Sequence, residues 1–561
     1  MDYELQGSRH ELSRAYNPWD NFRTRNENNH KAEDLSRLFP VSQPDPTSSK
    51  IIDTFLKHKS HRLDQLVPRR WQLLKDFLSE VVRESLPGTQ SYIDDVDRYN
   101  ADTLLLDDRR RHDKCTKDSL GRCPGCQIFS RELKIAEFRH RLTSERCIGV
   151  LKAEKRIIYV PNITSGCALV LAATIAQRSA SPVRGFLHKY LGREHVFSAS
   201  TTSWGFFLEF HIPYHAMRRT NTSDPRTIFG KRLRKGGELP LPTFANIRED
   251  LYYHEAQTSS LSWGNDEWFW TEIFLVDTYF GSEENRRDYF AKYDEGDGFD
   301  PPLGGQGSFK DKPQHDPREY FLRKLDVRIA QTATEYRALV ETFTERMEAY
   351  AESIREVFKD DKIMTHTRTI GHVIETIQIF VDCISGIVES WASFRYTGLA
   401  LFCQHAPEKL NWPSIISNIA GNVAELDRLR KSLTRKRERF KFKLESFHTV
   451  SSLSQTESTI KQANVANTQA DRAVSQGEDL KTLTQMTVYI AFPLLFTTAF
   501  FSMEFADPPA YPWAVFVGVL CGVSLINYMI ASQSSPWQTY TDFVTWFRVY
   551  SARMRRWIRR P

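Results

Sequence analysis

The chain has 561 residues, 40% hydrophobic and 26% charged, with a net charge of +6, so it has room for two or three compact units. A mean hydropathy of −0.48 reads as an ordinary soluble protein, yet the long charge-free apolar runs all fall after residue 481. Eight cysteines over this length exclude a disulfide framework and favour the reducing side of a membrane.

Met1 to Leu38 is polar and charged, so neither a secretory leader nor a transit peptide is expected. The stretch PVSQPDPTSS, Pro40 to Ser49, reads as a flexible break, and 51–145 as mostly helical. Within it, Cys115, Cys123 and Cys126 form C-x7-C-P-G-C, with His112, His140 and Cys147 nearby. A C-x2-C turn supplies two of the four ligands zinc wants, but the second knuckle is missing. Three readings stay open: uncommitted thiols, which lead, then structural Zn2+, then a redox dithiol that lacks its βαβ setting. If metal is bound, Cys115, Cys123, Cys126 and either His112 or Cys147 are the expected ligands.

Arg156 to Val160 is a strand candidate, followed by an apolar helical stretch from Ala168 to Leu191. Trp204 to Tyr214 reads as another strand, and Glu272 to Tyr279 continues that core. Strands interleaved with helices predict an α/β or α+β domain. The sequons at Asn162 and Asn221 would go unused on the cytosolic side. Glu283 to Asp316 is a Gly-, Pro- and Asp-rich loop whose YDEGDGFD lacks calcium-loop spacing. Helices are expected over 317–358 and 362–404. His188, His195, His211 and His215 are scattered and read as structural. No phosphate loop, nucleophile elbow or helical zinc motif is present, so the chain is expected not to be an enzyme.

Between Pro413 and Pro493 there is no proline and only two glycines, Gly421 and Gly477, so a helix of more than about 100 Å is expected if it is continuous, with the Ser/Thr-rich patch His448 to Thr459 as the place for a break. It carries the basic run Arg428 to Lys443. Thr482 to Ser502 has no charge, and about 21 helical residues span about 31 Å, the thickness of a bilayer core. A second uncharged stretch centres on Trp513 to Ala531. The turn between them holds Glu504, Asp507, Pro508 and Pro509, which suit water, so the spans are antiparallel. Tyr511, Trp513, Trp537 and Tyr540 supply interfacial aromatics, and six arginines between Arg548 and Arg560 place the C-terminus in the cytosol. Two spans return the N-terminus to the same side.

GEDLKTLTQMTVYIAFPLLFTTAFFSMEF, Gly477 to Phe505, resembles the CorA superfamily of divalent-cation transporters in its Leu483-Thr484, Phe492-Pro493-Leu494 and Ser502-Met503-Glu504-Phe505. TSSLSWGNDEWFWTEIFLVDTYF, Thr258 to Phe280, looks like the soluble domain of the fungal CorA-like, ZntB-like branch. The resemblance implies an α+β membrane protein with a cytosolic α/β domain, a helical stalk and a C-terminal two-helix transmembrane hairpin. The expected divisions are an N-terminal extension (1–145), the α/β domain (146–300), a helical domain (301–410) and the stalk (411–482). They continue with the first span (483–503), the turn (504–510), the second span (511–532) and a basic tail (533–561).

It further implies a homopentamer in the lipid of the plasma membrane, Mg2+ as the transported or regulatory ion, and neither nucleic acid nor any other small-molecule substrate. Pore-lining positions would be Glu478, Lys481, Thr484, Phe492, Leu495 and Ala499, with Pro493 as a helix kink. Ser502, Met503 and Glu504 would form the mouth. The family's Gly-Met-Asn is Ser-Met-Glu here, so a ring of Glu504 would attract cations by charge rather than through a neutral amide. Lys481 and this departure leave a rival reading, a membrane-anchored sensory or scaffolding protein that no longer conducts.

Overall fold

The computed structural model describes residues 37–39, 46–57, 71–83, 91–99, 103–110, 127–144, 146, 153–202, 205–241, 250–281, 300–304, 316–357, 360–361, 363–403, 412–502, 512–532, 544–545 and 548. They fall into two units, Met1–His448 and Thr449–Pro561.

The first unit is mixed α/β, built on an eight-stranded sheet. In chain order its strands are β1 (Thr103–Arg109), β2 (Gln127–Lys134), β3 (Lys155–Pro161), β4 (Val196–Thr202) and β5 (Gly205–Arg218). A small hairpin, β6 (Thr227–Ile228) and β7 (Lys231–Arg232), stands apart. Then come β8 (Gly236–Glu238), β9 (Tyr252–Gly264) and β10 (Trp270–Val276). The sheet order is β2-β1-β3-β10-β9-β5-β4, with β8 paired to β9. Only β3 and β10 are parallel; the other pairs in the sheet are antiparallel.

Both faces of the sheet are covered, which is why GFFLEFHIPYHAMR in β5 reads as an almost unbroken apolar run. Along β10 the period of two is plain: Trp270, Phe274 and Val276 enter one core, Ile273 and Leu275 the other. The second core is closed by α1 (Ser48–Lys57), α2 (Gln72–Arg83), α3 (Tyr92–Val96), α4 (Ile135–Thr143), α5 (Ser165–Thr174) and α6 (Ala180–Gly192). The first is closed by α7 (Pro317–Ser353), α8 (Thr365–Cys403) and the start of α9 (Trp412–Met486).

These long helices follow from their patterns. Asp316 caps α7, accepting the N–H of Arg318 at 2.8 Å, with Pro317 at the first position. In α8, Ile370, Val373, Ile377, Phe380, Ile384, Ile387, Trp391 and Phe394 recur every three or four residues and are buried. In α9 the buried stripe runs from Trp412 to Phe447 and stops there. Gly264 is required where β9 meets β10, because a Cβ there would lie 2.3 Å from the Phe269 carbonyl.

Two expectations need correcting. The sheet reaches upstream of residue 146, because β1 and β2 lie in the stretch expected to be helical. TLLLDDR hides its strand character behind charges that are in fact paired: Arg156 bonds Asp108 at 2.7 and 2.8 Å, and Arg109 bonds Asp107 and Asp300. The stretch Ala168 to Leu191 is two helices, and Pro182 falls in the first turn of α6, where its missing N–H costs nothing. The serine-rich β9 is a fully built strand whose Ser260 and Ser262 serve a buried charge pair.

The second unit comprises residues 449–486 of α9, a π-helical turn (Thr487–Ala491), α10 (Phe492–Phe501) and α11 (Pro512–Ser532).

Candidate functional site

Among the described residues, Thr365–Leu399 and Trp412–Phe501 are long and apolar enough to cross a membrane, and Trp513–Met529 is a shorter apolar helix. Burial separates the first two. Half of the most apolar window of Thr365–Leu399 is buried, against 11% for Trp412–Phe501. The former is α8, a core helix; the latter ends in an apolar run with little protein packed around it.

The π turn has a local cause. Pro493 has no N–H, and its ring would collide with the carbonyl four residues earlier, that of Tyr489. The helix widens, and the Phe492 N–H reaches back five residues to the Thr487 carbonyl. Residue 493 cannot extend that pattern to the Val488 carbonyl. Asn527 of α11 does so instead, its Nδ2 donating to that oxygen at 3.4 Å. The hydroxyls in this segment bond within their own helix: Thr487 to Leu483 O at 2.9 Å, Thr497 to Pro493 O at 2.7 Å, Ser502 to Ala499 O at 2.8 Å. The hairpin is antiparallel, with Tyr489 against Tyr528 (5.6 Å between rings) and Phe501 against Phe516 (5.5 Å).

This packing assigns faces. Pro493 and Thr497 are buried, whereas Phe492 is 55% and Leu495 67% exposed, and Ala499 is also exposed. At roughly 100° per residue, Phe492, Leu495 and Ala499 lie within about 60° of one another and about 150° from the buried pair. The expected lining face is therefore turned away from the buried one. On α9, Glu478, Lys481 and Thr484 are exposed. So are Leu453, Ile460 and Val474, which recur at multiples of seven residues in register with Lys481. Ser502 ends α10, its N–H shared between Thr498 O and Ala499 O. Met503 and Glu504 lie outside the described residues, as do His112, Cys115, Cys123, Cys126 and Cys147. No group of three or more metal-ligating side chains occurs among the described residues.

The first unit buries much charge, some of it held by opposite charges and some, as at Arg184, Arg328 and Arg346, by backbone carbonyls. Lys324 bonds Glu272 with Ser260 at 2.8 Å, where burial pushes the carboxyl up and the ammonium down. Asp277 meets Arg226 at 2.8 Å, Arg234 at 2.7 Å and the Tyr190 hydroxyl; burial would raise it, but the two guanidiniums hold it at about 2. The histidines are structural. His211 bonds Ser259 at 2.8 Å and Glu209 at 2.9 Å, His215 bonds Tyr336 at 3.1 Å, and His195 faces Cys383 at 3.6 Å. Burial lowers all three, and with Arg193 brings His195 to about 4. Asn162 donates its Nδ2 to Thr278 at 2.8 Å, the atom a glycan would use.

No family model matches the chain, and no curated protein does. A solved structure described as that of the full-length CmaX protein is 11% identical over 77% of this chain and 96% of that one, with a TM-score of 0.26, at which the likeness says nothing about role.

Proposed function

We propose that the chain is a CorA-like membrane protein that passes divalent cations, Mg2+ foremost, as a homopentamer with both termini in the cytosol of the plasma membrane. The supporting observation is the helix Trp412–Phe501, whose last turns present Phe492, Leu495 and Ala499 away from the face that packs on α11. An apolar face with no partner on its own chain is satisfied by lipid or by copies of itself. The heptad-spaced Leu453, Ile460 and Val474 on an otherwise polar helix favour copies. In this reading Glu504 concentrates ions at the mouth, Phe492 and Leu495 form apolar rings that gate by dewetting, and Pro493 allows the bend. The zinc option at the cysteines remains separate from transport.

Lys481 favours the rival, a non-conducting anchored scaffold, since it repeats in the same stripe. Mg2+ influx into proteoliposomes, compared with Glu504→Ala, decides between them. Influx that falls in the variant is expected; a folded oligomer that passes no ion leaves the scaffold.

A further inference from the structure

We propose that α9 carries a soft joint at Thr449 to Thr459, a stretch that is helical in the structure but opens locally more readily than the helix on either side. α9 runs through it without interruption. Its sequence, TVSSLSQTEST, holds seven serines and threonines in eleven residues. Such residues are mediocre helix formers: branching at Cβ costs threonine rotamer freedom, and a short hydroxyl competes for backbone groups.

That competition is visible bond by bond. Ser452 donates its hydroxyl to the Thr449 carbonyl at 2.8 Å, Ser454 to Ser451 at 2.9 Å and Thr456 to Ser452 at 2.9 Å. Ser458 and Thr459 both donate to the Gln455 carbonyl, each at 2.8 Å. Five hydroxyls thus draw on four carbonyls that the helix ladder also uses. Back-bonding of this kind weakens and bends a helix.

The flanks are better supported. Upstream, Leu429, Leu433, Phe440 and Phe447 are buried, and Arg430 pairs with Asp427 at 2.6 Å. The buried stripe ends at Phe447, and the first unit ends at His448. Within the stretch no residue is buried, Leu453 is 64% exposed, and Glu457 pairs forward with Lys461 at 2.7 Å. Residues 461–476 are just as unburied, but they hold four alanines and only two hydroxyl residues, Thr468 and Ser475. Where packing is absent, helix stability reduces to propensity and local bonds, and on those terms 449–459 is the weakest part of α9. The joint divides a continuous helix into a half fixed by the first core and a half that leads to the π turn, so bending is taken up at the hydroxyls. It requires neither self-association nor transport, and its test is independent of the function proposed above.

That test is hydrogen exchange, read by mass spectrometry on the full-length protein in detergent and corrected for the intrinsic rate of each amide. In wild type, 449–459 should exchange at least about tenfold faster than 461–476. Combining Ser452→Ala, Ser454→Ala, Thr456→Ala, Ser458→Ala and Thr459→Ala should slow 449–459 by about tenfold or more and leave α8 unchanged, since each alanine favours the helix and removes a competing bond. Slowing in the variant separates a soft helix from a downstream stretch that is merely covered by another chain. Equal rates in the two wild-type stretches, or a difference that the alanines leave unchanged, overturns the joint.

Discussion

Lys324 and Glu272 are fully buried in the first unit, whereas Phe492 and Leu495 in the second are more than half exposed. Each arrangement inverts the ordinary rule of charge outside and hydrocarbon inside, and the remedies differ. A buried ion survives because a partner of opposite sign and local hydroxyls replace water, so the remedy is internal to the unit. Exposed hydrocarbon at helical spacing has no internal remedy; it calls for lipid or another chain. The first unit thus answers this burial with its own residues, whereas the second presents an apolar face that calls for surroundings.

The largest test of that contrast removes one half of a buried pair. Lys324→Met should cost about 3–5 kcal/mol, because Glu272 is left without its cation, and Glu272→Leu added to it should recover most of the loss. Tryptophan-fluorescence unfolding of the full chain measures both, and a single variant as stable as wild type would refute internal pairing as the remedy.

Acid should act next. The buried histidines have folded-state values below their unfolded value of about 6.5, so between there and about 4, the value for His195, the unfolded chain binds protons that the folded chain refuses. Stability is full above pH 6.5 and declines as pH falls through that window, by about 2 kcal/mol from His195 at pH 5, with His211 and His215 acting in the same direction. Asp277 adds a later loss as pH drops toward about 2. Equal urea midpoints at pH 7.5 and pH 5 would contradict this.

In the second unit, Asn527→Leu should cost about 1 kcal/mol in detergent, and much less in a Pro493→Ala background, where residue 493 regains its N–H. Additive losses in that double-mutant cycle would mean the amide does not substitute for the missing donor. The smallest effect is expected of Val474→Gln: within about 0.5 kcal/mol on the first unit's unfolding, but with weaker self-association by chemical crosslinking. Unchanged crosslinking would remove the heptad stripe from the argument for copies.

The long helices and the hairpin were legible because their apolar period, their lack of proline and their charge-free runs are properties of sequence alone. The strands β3, β5 and β10 were legible for the same reason, being buried on both faces. What escaped includes β1, β2, β4 and β9, where TLLLDDR, QIFSRELK, VFSASTT and YYHEAQTSSLSWG place charge or hydroxyl in a sheet. A polar letter reads as exposed until its partner is known, and Arg156 for Asp108 or Lys324 for Glu272 lies tens of residues away. The π turn escaped as well: Pro493 signalled a kink, but the Asn527 that completes it sits on another helix.

That single amide bond bears on biogenesis. If the hairpin spans a bilayer as proposed, a first apolar helix entering alone would leave the Val488 carbonyl without a donor in a medium that offers no water. The second apolar helix brings the replacement, so the pair is better inserted together than in succession. A translocon handling this chain would release the two helices to lipid as one hairpin, and a truncation that ends before Asn527 would leave its first helix poorly retained.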